Sequence, residues 1–328
     1  MKKQLLIAAV AATMGTAAMA DLSITGNAKY EYKNSEDASN VTLNSGNTEV
    51  NILVKGTSGN TTVVLNTEFT DGSSSTAGAG VNVEDMYITT KIGDVTIKAG
   101  DYASGTTGIL GEIDNGGRST DKVTLSTSLA GATIAYGSTP NAASGDTVTV
   151  SMPVAGYNLT VKESSDSYTA YGISGDVAGF GVRLEQQSSD TANSDVTFGN
   201  ITKDVNGVTL GYAWIDADDS ATTVTEDDSS IFAVEMASAG VQKTNVNGVQ
   251  QISAKTTVAG NTVTVKAGSL SAKTGYQDAD FTQVDIKRAL ASGATLALTY
   301  TSADTAAIAN GSAQTDTATF EADISVSF

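Results

Sequence analysis

From Leu22 to Tyr32 apolar and polar side chains alternate: Leu22, Ile24, Ala28, Tyr30 and Tyr32 share one parity, and Ser23, Thr25, Asn27, Lys29 and Glu31 the other. In an extended strand those two sets are opposite faces. The pattern returns at 48–56, where Val50, Ile52 and Val54 oppose Glu49, Asn51 and Lys55. At 180–187 Phe180, Val182 and Leu184 oppose Arg183, Glu185 and Gln187. At 208–215 Val208, Leu210, Tyr212 and Trp214 oppose Thr209, Gly211 and Ala213. At the end of the chain Phe320, Ala322, Ile324, Val326 and Phe328 oppose Thr319, Glu321, Asp323, Ser325 and Ser327.

The connections alternate as well. Tight turns are expected at Gly93-Asp94, Ala130-Gly131, Ala155-Gly156, Val205-Asn206-Gly207, Ala259-Gly260-Asn261 and Ser292-Gly293, the residue types of two-residue hairpins. Between them lie longer polar loops at 33–40, 71–82, 137–146, 216–229, 271–278 and 303–316. This rhythm predicts an all-β fold, an antiparallel up-and-down barrel with one short-turn rim and one long-loop rim. No composition break divides the chain, so 21–328 reads as a single domain. About nineteen candidate segments have roughly the nine to eleven residues a tilted membrane-crossing strand needs. A closed barrel with both ends on one rim needs an even number, and the stretch 239–248 is ambiguous, so counting leaves sixteen, eighteen and twenty open.

A soluble sandwich alternates too, and three features favour a membrane barrel. Met1-Lys2-Lys3, the apolar stretch Leu5 to Ala12 and Ala18-Met19-Ala20 form a basic start, a short hydrophobic segment and an A-x-A site. That is the pattern of a secretory signal peptide over 1–20, cleaved after Ala20. Aromatic residues cluster at strand ends (Tyr30, Tyr32, Phe69, Phe180, Phe198, Tyr212, Trp214, Phe328), as in the interfacial girdles of barrels. The chain also ends on Phe328, after apolar residues at every second position, whereas termini are usually solvated. This ending resembles the C-terminal signature read by the barrel-insertion machinery. After the leader no apolar run reaches the about 18 residues of a membrane helix.

Composition then excludes chemistry. The chain has no cysteine and no histidine, which removes disulfides, thiol nucleophiles, imidazole bases and the usual transition-metal ligands. No enzyme, cofactor or metal is expected. Loss of Lys2 and Lys3 with the leader leaves 16 basic against 36 acidic residues, a net charge of −20. Such a surface repels nucleic acid.

Taken in order, Asp21-Leu22-Ser23-Ile24-Thr25-Gly26, the hairpin Met86 to Tyr102 closing in Lys98-Ala99-Gly100-Asp101-Tyr102, and Ala322-Asp323-Ile324-Ser325-Val326-Ser327-Phe328 resemble a Gram-negative general porin of the alphaproteobacterial type. The resemblance implies a sixteen-stranded outer-membrane barrel, a homotrimer set among outer-membrane lipid and lipopolysaccharide, and passive diffusion of small hydrophilic solutes. It places a constriction loop at about 103–120, where Asp101, Glu112 and Asp114 would present carboxylates and Arg118 would tether or face the loop. Ile109, Leu110 and Ile113 would pack that loop on the wall; an ordinary extracellular loop is the alternative. The family's basic wall cluster maps to the inward candidates Lys29, Lys55, Lys98, Lys122 and Arg183. The chain departs from that pattern in having only three arginines, Arg118, Arg183 and Arg288, and a short loop. Each lysine is otherwise a solvated lumen charge.

The acid excess suggests weak cation preference, because carboxylates at a mouth and constriction raise the local cation concentration. Loop 216–229 is especially acidic, with Asp216, Asp218, Asp219, Glu226, Asp227 and Asp228. It is equally readable as a solvated surface or as a divalent-cation bridge to lipopolysaccharide. It lacks the glycine and the distal glutamate of an EF-hand loop, so no calcium site is expected. Two further functions stay open: a solute-specific porin, and a secreted surface-layer or adhesin-like structural protein.

Overall fold

A computed structural model describes residues 21–36, 42–71, 80–103, 118–139, 146–165, 167–190, 195–218, 231–232, 246–304 and 316–328. The expected leader lies outside the described residues, as does most of the expected constriction loop. Valine, threonine and isoleucine fill the segments; their branched Cβ suits a pleated surface better than a helix. The strands are β1 (Asp21–Glu36), β2 (Thr42–Ser58), β3 (Thr61–Thr70), β4 (Gly80–Ile92), β5 (Val95–Ala103), β6 (Arg118–Leu129), β7 (Ala132–Ser138), β8 (Thr147–Val154) and β9 (Tyr157–Ser164). They continue with β10 (Tyr168–Val177), β11 (Phe180–Ser189), β12 (Val196–Val205), β13 (Val208–Ala217), β14 (Val246–Val258), β15 (Asn261–Ala272), β16 (Ala279–Ala289), β17 (Thr295–Asp304) and β18 (Asp316–Ser327).

Each strand pairs antiparallel with its sequence neighbours, and β18 returns to β1, so one 18-stranded sheet closes on itself. The sixteen strands implied by the family resemblance are corrected to eighteen. Three strands, β7 to β9, are only seven or eight residues long. Part of the ambiguous 239–248 stretch is simply the start of β14 at Val246. Counting was blurred further because β12 to β14 carry apolar residues inward as well as outward, which flattens the alternation.

Four of the expected tight turns, and a further one at Ala178-Gly179, take two consecutive left-handed residues, for example Asn206 and Gly207 with φ of 53° and 81°. That is the backbone of a primed hairpin turn, whose twist matches the strands it joins.

Register carries one face around the barrel. Lys29 lies opposite Glu49 and Ser325, Lys55 opposite Val64, Val64 opposite Tyr87, Tyr87 opposite Gly100, and Gly100 opposite Lys122. This face is the lumen. The other parity carries Leu22, Ile24, Ile88, Leu125, Leu210, Ile252 and Ile324, all exposed to the outside. Of the expected girdle aromatics, Tyr30, Tyr32, Phe69, Phe180, Tyr212 and Phe328 are exposed on this outer face. Trp214 stacks on Tyr212 at 5.4 Å and covers Gly199. Phe198 is corrected: it points into the lumen and is 0% exposed, because its partners across the ladder are Glu185 and Ile215 on the inward parity.

At the long-loop rim, aspartates accept backbone N–H groups where the ladder ends. Asp195 Oδ1 accepts from Ser189 N–H (2.9 Å), Asp278 Oδ1 from Ala272 N–H (2.8 Å) and Asp304 Oδ2 from Asp280 N–H (3.1 Å). Parity places Asp195, Asp216, Asp280, Asp304 and Asp316 on the outer side of that rim. Part of the acid surplus is therefore structural, supplying acceptors to donors that would otherwise be orphaned.

The closing seam rests on Gly26 and Phe328. Their backbones exchange hydrogen bonds of 2.9 and 3.0 Å, and the Phe328 ring lies over Gly26 on the outer face. A Cβ at Gly26 would stand 2.3 Å from the Asn51 carbonyl oxygen and 2.8 Å from Phe328 Cζ. Gly26→Val is expected to cost about 1–3 kcal/mol by overpacking. It should lower the yield of the folded, heat-modifiable form on an unboiled gel, while Leu22→Val on the same outer face leaves that yield near the parent level.

Candidate channel lumen

Three regions of the inner wall carry distinct chemistry. The first is a basic arc on β5 to β11. Lys98 stands between two tyrosines, its Nζ 3.9 Å from the Tyr87 ring and 3.8 Å from the Tyr102 ring. The two rings meet edge to face at 5.6 Å, and the Tyr102 hydroxyl and Thr124 Oγ1 lie 2.7 Å apart. Desolvated cation–ring contacts of this kind are worth about 0.5–2 kcal/mol, so the clamp fixes where the charge sits. Lys122 follows, its Cε 3.5 Å from the place a Cβ would take on Gly137. A bare glycine there lets the lysine stem lie along the wall. Lys162 sits 5.6 Å from the Tyr168 ring and the Arg183 guanidinium 5.7 Å from the Phe198 ring.

The second region is the seam of β18, β1 and β2. Lys29 Nζ pairs with Glu31 Oε2 at 3.0 Å, and Lys33 Nζ with Glu321 Oε1 at 2.6 Å. Glu49 stands opposite Lys29, and Asn51 donates to it. Asp323 stands opposite Glu31, and its Oδ1 is buried without a hydrogen-bond partner.

The third is an apolar wall on β12 to β16. Val196, Phe198, Ile215, Val249, Leu270 and Phe281 take inward positions, where water would meet them, yet all are buried. Ile231 and Phe232, from the connection between β13 and β14, pack against them. Phe232 meets Phe198 edge-on at 6.3 Å. Gln251 Nε2 donates to the Ile231 carbonyl at 2.7 Å, and Lys266 Nζ to the Phe232 carbonyl at 3.2 Å. Apolar burial is worth about 25 cal/mol per Å², and the two wall donors satisfy the carbonyls that the docked dipeptide brings inside.

The expected site residues divide accordingly. Register puts Lys29, Lys55, Lys98, Lys122 and Arg183 on the inner face of the sheet, where they do not form one cluster. Lys29 and Lys55 belong to the seam side and the other three to the basic arc, with β3 and β4 between. Asp101 is corrected. It lies opposite Met86 on the outward parity, and its Oδ1 accepts the Asp121 N–H at 2.8 Å across a bulge. Beyond that bulge a carboxylate serves the backbone and does not line the pore. Glu112 and Asp114 lie outside the described residues; Arg118 opens β6 opposite Ala103. Of the acidic loop, Asp216 and Asp218 sit at the outer rim, while Asp219, Glu226, Asp227 and Asp228 lie outside the described residues.

Sequence reasoning missed Lys162, whose parity in Tyr157–Ser164 marks it as inward just as it marks Lys98. It also missed Ile231-Phe232. Their signal is an apolar pair directly after Glu226, Asp227, Asp228, Ser229 and Ser230. Among the described residues no group of acidic side chains is disposed to hold a metal ion.

No family model matches the chain, and no curated relative does. Solved structures match over nearly its whole length. OpdL of Pseudomonas aeruginosa aligns with TM-score 0.67 at 10% identity, covering 94% of this chain and 99% of that one. OccAB3 of Acinetobacter baumannii aligns with TM-score 0.65 at 10% identity, covering 94% and 100%. OccK9 (OpdG) of Pseudomonas aeruginosa aligns with TM-score 0.64 at 16% identity, covering 94% and 99%. These are outer-membrane porins and not enzymes. This likeness is one of fold and does not single out the alphaproteobacterial type that the terminal motifs resemble. The chain has the fold of a Gram-negative outer-membrane porin.

Proposed function

We propose that the protein is a porin of the outer membrane of a Gram-negative bacterium, passing ions and small hydrophilic solutes by passive diffusion with weak cation preference. The observation that carries this reading is the division of one closed sheet into an apolar, exposed outer face and a charged, polar inner face. Only a barrel leaves no unpaired sheet edge in hydrocarbon, and only a wetted lumen makes inward lysines and glutamates inexpensive. A leader cleaved after Ala20 would deliver the chain to export. The terminal strand ending in Phe328 offers the insertion machinery its signature. Assembly as a homotrimer belongs to the same reading. The outward aspartates of the long-loop rim suit lipopolysaccharide phosphates bridged by divalent cations.

A second reading, a solute-specific channel, is favoured by one observation: Ile231 and Phe232 dock inside the barrel on the wall of β12 to β16. A docked segment makes the passage eccentric and brings solutes toward the basic arc and the seam. Anionic groups would then meet Lys98 and Lys122, which aromatic contact and the wall hold in place.

In a planar bilayer the pure folded protein is expected to give stepwise, ohmic conductance. Silence from folded protein would leave the structural surface-protein reading in its place. Phe232→Ala removes the ring from the apolar wall, at a cost of about 3 kcal/mol in docking. Single-channel conductance and current noise should both rise, and an unchanged trace would mean the docked pair does not border the ion path. Lys122→Met takes one cation from the basic arc, so the reversal potential in a salt gradient should move toward stronger cation preference.

A further inference from the structure

Resting on the channel reading, we propose that the seam carboxylates Glu31, Glu49 and Asp323, grouped around Lys29, are the cation-selecting element of the lumen. The acidic rim is not that element. Register puts Glu31 directly opposite Asp323 and Lys29 directly opposite Glu49. Opposed side chains on one face of an antiparallel ladder lie about 5 Å apart at Cβ. Three carboxylates thus share one ammonium, and that ammonium is committed to Glu31 at 3.0 Å. The neighbouring Lys33 is committed to Glu321 at 2.6 Å.

The surrounding strands bring little to offset this. On β17 the residue opposite Asp323 is Ala297, and Thr299 donates to Asp285 at 3.0 Å. On β16 Lys287 faces the lumen beside Ala297. On β2 the amide of Asn51 donates to Glu49. Asp323 Oδ1 has no donor at all. A like-charged pair held in register is unfavourable for the sheet, and a mobile cation relieves it. Among the described residues the other inward glutamates are placed differently: Glu185 lies opposite Gly172 on the basic arc beside Arg183, and Glu68 on β3 accepts from Asn82 at 3.3 Å. Among the described residues the rim aspartates Asp216, Asp280, Asp304 and Asp316 take the outward parity, and part of the acid surplus serves backbone N–H groups.

The test uses the full mature protein in planar bilayers, with reversal potentials read in a KCl gradient at moderate ionic strength. Asp323→Asn should lower the potassium-over-chloride permeability ratio by about twofold or more, and Asp323→Glu should restore it. Glu49→Gln should lower it in the same direction, and it serves as the second variant if Asp323→Asn gives no heat-modifiable folded band. Asp216→Asn removes the same charge from the outer rim and should leave the ratio unchanged. The differences should shrink near 1 M salt, where the screening length is about 3 Å. An Asp323→Asn or Glu49→Gln channel with the parent ratio, or an Asp216→Asn channel that falls as far, overturns the proposal. A parent protein that conducts nothing overturns the channel reading itself, which is a separate result.

Discussion

Everything in this molecule depends on the seam where β18 meets β1. A sheet placed in hydrocarbon has no water to satisfy a free edge, and each orphaned N–H or C=O there would cost several kcal/mol. The chain meets that demand by pairing its last residues with its first, down to the reciprocal bonds of Gly26 and Phe328. The glycine is required because the Asn51 carbonyl and the terminal ring already fill the space of a side chain. Closure then imposes the second constraint. With no edge and a fixed register, parity alone decides whether each side chain lies outside or inside the barrel.

That division explains the charge. A net charge of −18 first suggests an acidic pore. The structure distributes it otherwise. Many rim aspartates face outward and several cap ladder ends, while the lumen holds both signs, sorted into a basic arc and an acid-rich seam. The same residue type does different work according to position: Asp101 holds a bulge, Asp304 caps a strand, and Asp323 stands exposed to its own kind. In the proposed channel, selectivity would follow from which of these the ion path passes, so the net charge is a poor guide to it.

Much of the fold was legible from alternation. Counting in twos puts Lys29, Lys55, Lys98, Lys122 and Arg183 on the polar face of their strands, and register carries that face around the inside of the barrel. The count of strands was not legible, because Phe198, Ile215 and Val249 are apolar on the face expected to be polar. Their inward positions make sense only once Ile231 and Phe232 dock on them. Asp101 was misplaced for a different reason. It was read with the constriction loop that the family resemblance implies, whereas β5 runs on to Ala103 and places it three residues from Lys98, on the opposite face.

The sequence by itself determined the period, the turns, the two rims and the terminal Phe328, because these are local consequences of side-chain type on an extended backbone. Only the tertiary structure decided that the strands number eighteen, that the lysines fall into two groups, and that an apolar pair from the β13–β14 connection sits inside the barrel. These depend on contacts between residues far apart in the chain. Register brings Asp323 to Glu31, and a docked carbonyl brings Phe232 to Lys266. Neither pairing has any signature in local order.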